Sequence, residues 1–182
     1  MSTTSSTTTK WAVDSMHSEI DFKVKHMMIT NVNGSFGAYT ITAETNGDDL
    51  NNANIQFSAK VDSINTGVAD RDAHLKSDDF FNAEAFPEIN FKSTSFTKKD
   101  DQNFELVGDL TIRDITRSEK FNVEFNGLVV DPYGQVKTGF VVEGKIKRSD
   151  FNLKWNAITE AGSIVVSDDI KVHCEVQMIK QA

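Results

Sequence analysis

The chain has 182 residues, 38 % of them apolar, with 27 Asp and Glu against 19 Lys and Arg and a formal net charge of −8. That length allows one domain with a sizeable core, and the acidic balance argues against nucleic-acid binding and against docking on an anionic membrane. No run approaches the ~18 consecutive apolar residues of a membrane span, so stable insertion is not expected, and the single cysteine, Cys174, leaves no intrachain disulfide.

The opening MSTTSSTTTK is Ser/Thr-rich with no apolar stretch, so residues 1–10 read as a flexible tail and 11–182 as one domain. It is not a secretory leader as written, which points to the cytoplasm, or to the periplasm if a leader was removed.

From Ser18 the pattern is period two, the spacing of a strand with one wet and one dry face. Ile20, Phe22 and Val24 share one side, and Asp21, Lys23 and Lys25 the other. Asn33-Gly34 signals a turn, followed by a strand through Phe36, Tyr39 and Ile41. Asn46-Gly47 signals a hairpin into Ala53, Ile55, Phe57, Ala59 and Val61. After a break, Ile89 and Phe91 resume the alternation. Lys98–Gln102 is a turn, and Phe104, Leu106, Gly108, Leu110 and Ile112 follow. An Arg113–Thr116 corner leads to Phe121, Val123, Phe125 and Gly127. Pro132-Tyr133-Gly134 forms a hairpin into Val136, Phe140, Val142, Gly144 and Ile146, and the last strand carries Ile170, Val172, Cys174, Val176 and Met178.

These make eight long strands joined mostly by hairpins, an all-β antiparallel architecture. A sandwich also explains one dry face per strand, but closure into an eight-stranded barrel removes the exposed edges. Such a barrel is either filled by side chains or holds one small ligand. The inward glycines Gly37, Gly108, Gly127 and Gly144 mark bends in the wall or room for a guest.

The alternation stops over ADRDAHLKSDDFFNAEAFP, residues 69–87. One or two short helices are expected in this 68–85 crossover, with Asp70 and Ser77 as caps. Asp72 and His74 point to different sides of a helix, and the pair Asp70 and His74 alone does not make a metal site, so no metal is expected. Arg71 and Asp72 suit an ion-pair and capping network that pins the crossover. Phe80, Phe81 and Phe86 suit a plug over the barrel mouth. Asp70, Asp72, His17, His26, His74 and His173 could serve as bases in a hydrolase or isomerase, but nothing resembles a nucleophile elbow. Cys174, inward in a strand, reads as a small buried hydrophobe.

The segments WAVDSMHSEIDFKVKH, GVADRDAHLKSDDFFNAEAFPEINFKST, VGDLTIRDITR and RSDFNL together resemble the YceI family, from about Trp11 to Met178. The resemblance implies an extended lipocalin-like barrel of eight antiparallel strands. It also implies a long amphiphilic lipid inside, a polyisoprenoid or an isoprenoid quinone, carried or stored without cofactor or catalysis, and pairing into homodimers. Where the family usually has Gly-Val after the strand matching VGDLTIRD, this chain has Asp114-Ile115, so Asp114 is expected to take the turn conformation that glycine takes easily.

A prenyl tail has no hydrogen-bonding groups and needs a dry pocket. Its candidate lining is Phe22, Val24, Phe36, Phe57 and Phe91 from the first half of the chain, and Phe104, Leu106, Phe121, Phe125 and Phe140 from the second. Arg71, His74, Lys76 and Arg148 are head-group candidates, because a pyrophosphate pairs well with arginine. Trp155 suits the rim. Lys23, Lys25, Glu105 and Glu124 read as a solvated outer face.

Overall fold

The computed structural model describes residues 8–27, 29–153 and 166–181. Its strands are β1 (Thr8–Val13), β2 (Glu19–His26), β3 (Thr30–Phe36), β4 (Tyr39–Asn46), β5 (Asp49–Lys60), β6 (Ile64–Asn65), β7 (Glu88–Lys98), β8 (Asn103–Ile112), β9 (Ile115–Val130), β10 (Val136–Lys147) and β11 (Val166–Lys180). One helix, α1 (Ala69–Lys76), lies in the long crossover.

All pairings are antiparallel, in the order β1-β4-β5-β7-β8-β9-β10-β11-β2-β3-β6, and β1 also pairs with β11 to close the sheet. The eight expected wall strands are present because β1 with β2, and β3 with β4, are the two halves of broken long strands. β1 pairs with β4 and β2 with β3, while β11 pairs with both β1 and β2. The wall takes in Thr8, Thr9 and Lys10 from the stretch expected as tail.

The first break has a local cause. Asp14 accepts the Met16 amide and starts a single 3-10 turn, Ser15–His17. The Ser18 hydroxyl then donates to the Asp14 carbonyl and accepts the Gln177 amide at 2.9 Å, standing in for a ladder bond. The Asn33-Gly34 turn is not there. Gly34 lies inside β3, opposite Phe22, and the chain turns instead beyond His26. A Cβ on Gly34 would meet the Phe22 ring at 2.2 Å, so this glycine makes room for a ring rather than for a turn.

The crossover holds one helix, not two. Its N-cap is Val68 with no side-chain cap, and Asp70 lies within the first turn. Asp72 instead reaches back to accept the amide and hydroxyl of Thr66, which ties the helix to the segment before it. Ser77 ends α1, and successive turns carry the chain through Phe86.

At the β8–β9 corner the left-handed residue is Arg113, at φ 56°, rather than Asp114. Ile112 pairs with Ile115, so the corner is a two-residue loop.

Candidate functional site

The inward faces of the strands enclose a cavity of about 150 Å³. Phe57, Phe91, Leu106, Phe121 and Phe140 of the expected lining border it, together with Trp11, Ile41, Ala53, Val142 and Cys174. Two lining hydroxyls are turned into the wall: Thr45 accepts Trp11 Nε1 at 2.9 Å and donates to the Gly47 carbonyl, and Thr138 donates to the Gly127 carbonyl. What remains is a dry chamber.

The other five expected lining residues lie elsewhere. Phe104 stacks on Phe96, with centroids 4.6 Å apart, and meets Phe125 edge-on at 6.2 Å. Phe22 packs on Phe36 at 5.6 Å, and Phe36 meets Phe81 of the crossover edge-on at 6.3 Å. Val24 is half-buried in the wall, opposite Val32 and Ile170. Trp155 lies outside the described residues.

The inward glycines do two different things. At Gly108 a Cβ would stand 2.4 Å from the Phe91 ring, and at Gly144 2.3 Å from the Phe121 ring. Each ring therefore occupies the space that a side chain on another strand would fill, and Phe91 and Phe121 meet edge-on at 5.7 Å. Gly127 is a bend, at φ 100° beside the Thr138/Phe140 register shift. Gly37 has nothing nearer than the Ser63 carbonyl at 4.0 Å.

The crossover covers the end that carries the β8–β9 corner, and Phe80 and Ala83 are buried beneath it. Two arginines hold it. Arg71 donates to the hydroxyl and carbonyl of Thr66, the residue that Asp72 also grips, so the two meet through hydrogen bonds to Thr66 and not through the expected ion pair or helix cap. Arg113 was not singled out from sequence. Its guanidinium donates to the carbonyls of Asp78 and Phe80, pairs with the Asp78 carboxylate at 3.3 Å and lies 5.7 Å from the Phe86 ring centroid. The signal for it was the corner itself, a charged residue at a two-residue loop beside a plug.

Of the expected head-group residues, Arg148 does not present itself to a mouth. It is 5 % exposed and donates to the carbonyls of Leu153, Val166 and Ser167, tying the two sides of the β10–β11 connection together. His74 lies on α1, its Nε2 2.8 Å from an Asp79 carboxylate oxygen and its ring edge-on to Phe80. Lys76 is half-buried at the end of α1.

Catalytic groups are not gathered in the chamber. His17, His74 and His173 each face a carboxylate, Asp14, Asp79 and Glu143, away from the lining. Among the described residues the one titratable group on the lining is Cys174, whose thiol burial pushes up to about 12, which favours the protonated thiol. No group of three metal-ligating side chains occurs among the described residues.

The family model described as "YceI-like domain" matches residues 11–178. The UPF0312 protein of Staphylococcus aureus strain N315 is 35 % identical over 170 residues, covering 93 % of this chain and 96 % of that protein. A UPF0312 protein of Staphylococcus epidermidis is 37 % identical over the same shares. Among solved structures, the Campylobacter jejuni YceI protein superposes with a TM-score of 0.76 at 32 % identity, over 87 % of this chain and 90 % of that one. Burkholderia cenocepacia BcnA shares the fold, with TM-score 0.79 at 19 % identity over 91 % and 98 %. So does a polyisoprenoid binding domain from Saccharophagus degradans implicated in plant cell wall breakdown, with TM-score 0.64 at 14 % identity over 94 % and 98 %.

Proposed function

We propose that this chain, which belongs to the YceI-like family, binds the tail of a long amphiphilic lipid in its barrel, a polyisoprenoid or an isoprenoid quinone, and serves as its carrier or store. The observation that carries the reading is the dry chamber, whose hydroxyls are already satisfied inside the wall. A prenyl tail asks for no hydrogen bonds, and burying it is worth ~25 cal/mol per Å² before the entropy of ordering it is subtracted. The polyisoprenoid-binding neighbour from Saccharophagus shares this fold and supports the choice of ligand class.

An apolar cavity of this volume, about 150 Å³, holds a guest about the size of benzene. A chain of several isoprene units therefore has to displace side chains. Phe91 and Phe121 border the chamber, so their rings are among those that a longer tail has to displace. Entry falls at the end covered by the crossover, whose α1 is a helix of 8 residues with no buried side chain. A helix so short is marginal alone and opens at small cost. The head group then meets Arg71, His74 and Lys76 on the displaced crossover.

The homodimer forms part of the proposal. The β9–β10 hairpin leaves Val129 61 %, Val130 68 % and Tyr133 90 % exposed, an apolar ribbon that a second copy would cover. Catalysis is not part of it, because the described residues of the chamber lining include no base.

Mass spectrometry of a denatured extract of the purified protein tests the reading. A co-purifying prenyl lipid at near one per chain is expected. An empty barrel with no affinity for any prenyl compound sinks it.

A further inference from the structure

The outer face of the wall carries a second concavity. It is a groove of about 560 Å³ across β9, β10, β11 and β2, and its floor includes Gly144 and Val172, the latter also bordering the inner chamber. Lys23, Lys120, Lys145 and Lys171 stand around it. Three are in register, Lys145 opposite Lys171 and Lys171 opposite Lys23. Directly opposite side chains lie ~5 Å apart at Cβ, and like charges so placed destabilise the sheet.

Lys145 and Lys120 have partial relief from Asp169 at 3.8 Å and Glu105 at 3.7 Å. Glu143, also on the rim, is engaged by His173 at 3.1 Å. Among the described residues no ion pair neutralises Lys23 or Lys171. This is notable in a chain with eight more acids than bases. Acids sit elsewhere, and a cationic row is left facing a hollow.

We propose that this groove seats the phosphate of an anionic phospholipid head group and so docks the barrel against a bilayer. The inference rests on the lipid-carrier reading, since a carrier has to meet the membrane that holds its cargo. The whole-chain charge opposes an anionic surface, but the contact is set by the nearest charges, because those farther than ~10 Å are screened. Each Lys brought to such a surface contributes ~1 kcal/mol. The groove has the volume of a ligand site, ~300–1,000 Å³, so it takes one head group, and the flexible lysine stems reach those beside it.

Co-sedimentation with phosphatidylcholine vesicles, pure or containing about one-third phosphatidylglycerol, tests this. Binding to the anionic vesicles that fades with added salt is expected, and weak binding to pure phosphatidylcholine. The exposed pair Lys23→Gln/Lys171→Gln should weaken it by about tenfold or more, and Lys23→Arg/Lys171→Arg should retain it. Equal binding to both vesicle types, or no effect of the glutamine pair, overturns the proposal. So does binding of free inorganic phosphate alone, or capture of an acidic protein without any vesicle binding. Uptake of a prenyl lipid from detergent is measured on the same glutamine variant and should be unchanged. Failure of the parent chain to dock, with its uptake intact, refutes the groove alone, and docking with no uptake by any variant refutes the carrier reading alone.

Discussion

Phe121 lies so closely over Gly144 that a Cβ there would come within 2.3 Å of the ring. Gly144 has an ordinary extended backbone, so the requirement is for space and not for conformation. Gly144→Ala should lower stability by about 1–3 kcal/mol through overpacking. Phe121→Ala leaves a void instead and should cost about 3–5 kcal/mol. Urea unfolding of both variants checks this, and a neutral Gly144→Ala would show that the ring moves freely.

Arg113 holds the plug. Arg113→Ala should lower stability by about 1–3 kcal/mol, because the carbonyls of Asp78 and Phe80 lose a charged donor. Arg113→Gly relieves the left-handed backbone at φ 56° yet loses the same bonds. Amide exchange over residues 78–86 should therefore rise in both variants, with the glycine variant the more stable of the two. Unchanged exchange in both would remove Arg113 from the latch.

Filling the chamber separates ligand binding from folding. Ala53 borders it, so Ala53→Leu places three carbons in empty space. Stability should change by less than about 1.5 kcal/mol, while prenyl-lipid uptake falls by about tenfold or more. Full uptake by a well-folded Ala53→Leu would place the tail elsewhere.

Asp14 carries an acid-sensitive share of stability. Its hydrogen bond to His17 is the largest influence and holds its carboxyl below the ordinary value of 3.8, outweighing burial, which acts the other way, with lesser help from the Met16 amide and Lys137. A lowered carboxylate pKa stabilises the fold above the unfolded value and loses that contribution as pH falls through the folded one. Asp14→Asn should thus be less stable than the parent at neutral pH, with the gap closing below about pH 3.8. Thermal melts across pH measure it, and a gap that persists to pH 2 would assign the loss to packing.

Cys174 should resist alkylation in the folded protein at pH 8, since burial pushes its thiol up to about 12. Labelling should appear only with denaturant, in step with unfolding. Prompt labelling of the native chain would mean that the chamber opens readily.

The barrel was legible because eight runs alternate cleanly, and one slipped register would have turned their apolar faces to water. The split strands were not. Asp14-Ser15-Met16-His17-Ser18 reads as the end of an element, and only the Ser18 hydroxyl meeting the Gln177 amide shows that the wall continues through it. Asn33-Gly34 has turn chemistry, but Phe22 across the strand claims the space at Gly34. Inwardness was readable and depth was not: alternation placed Phe22, Phe36, Phe104 and Phe125 on the dry side, while strand tilt and partner rings decided that they pack beyond the chamber. Arg148 misled because an arginine near a mouth looks available. Its carbonyl partners among the described residues include Val166 and Ser167, 18 and 19 positions away, which no local pattern encodes.

The seam of the barrel joins Val13 to Met178 and Trp11 to Lys180. A ribosome delivers β1 long before β11, so the sheet keeps a bare edge until β11 has emerged. Neither a chamber nor cargo can exist before then, and a message truncated late in translation would yield a sticky fragment in place of a weakened binder.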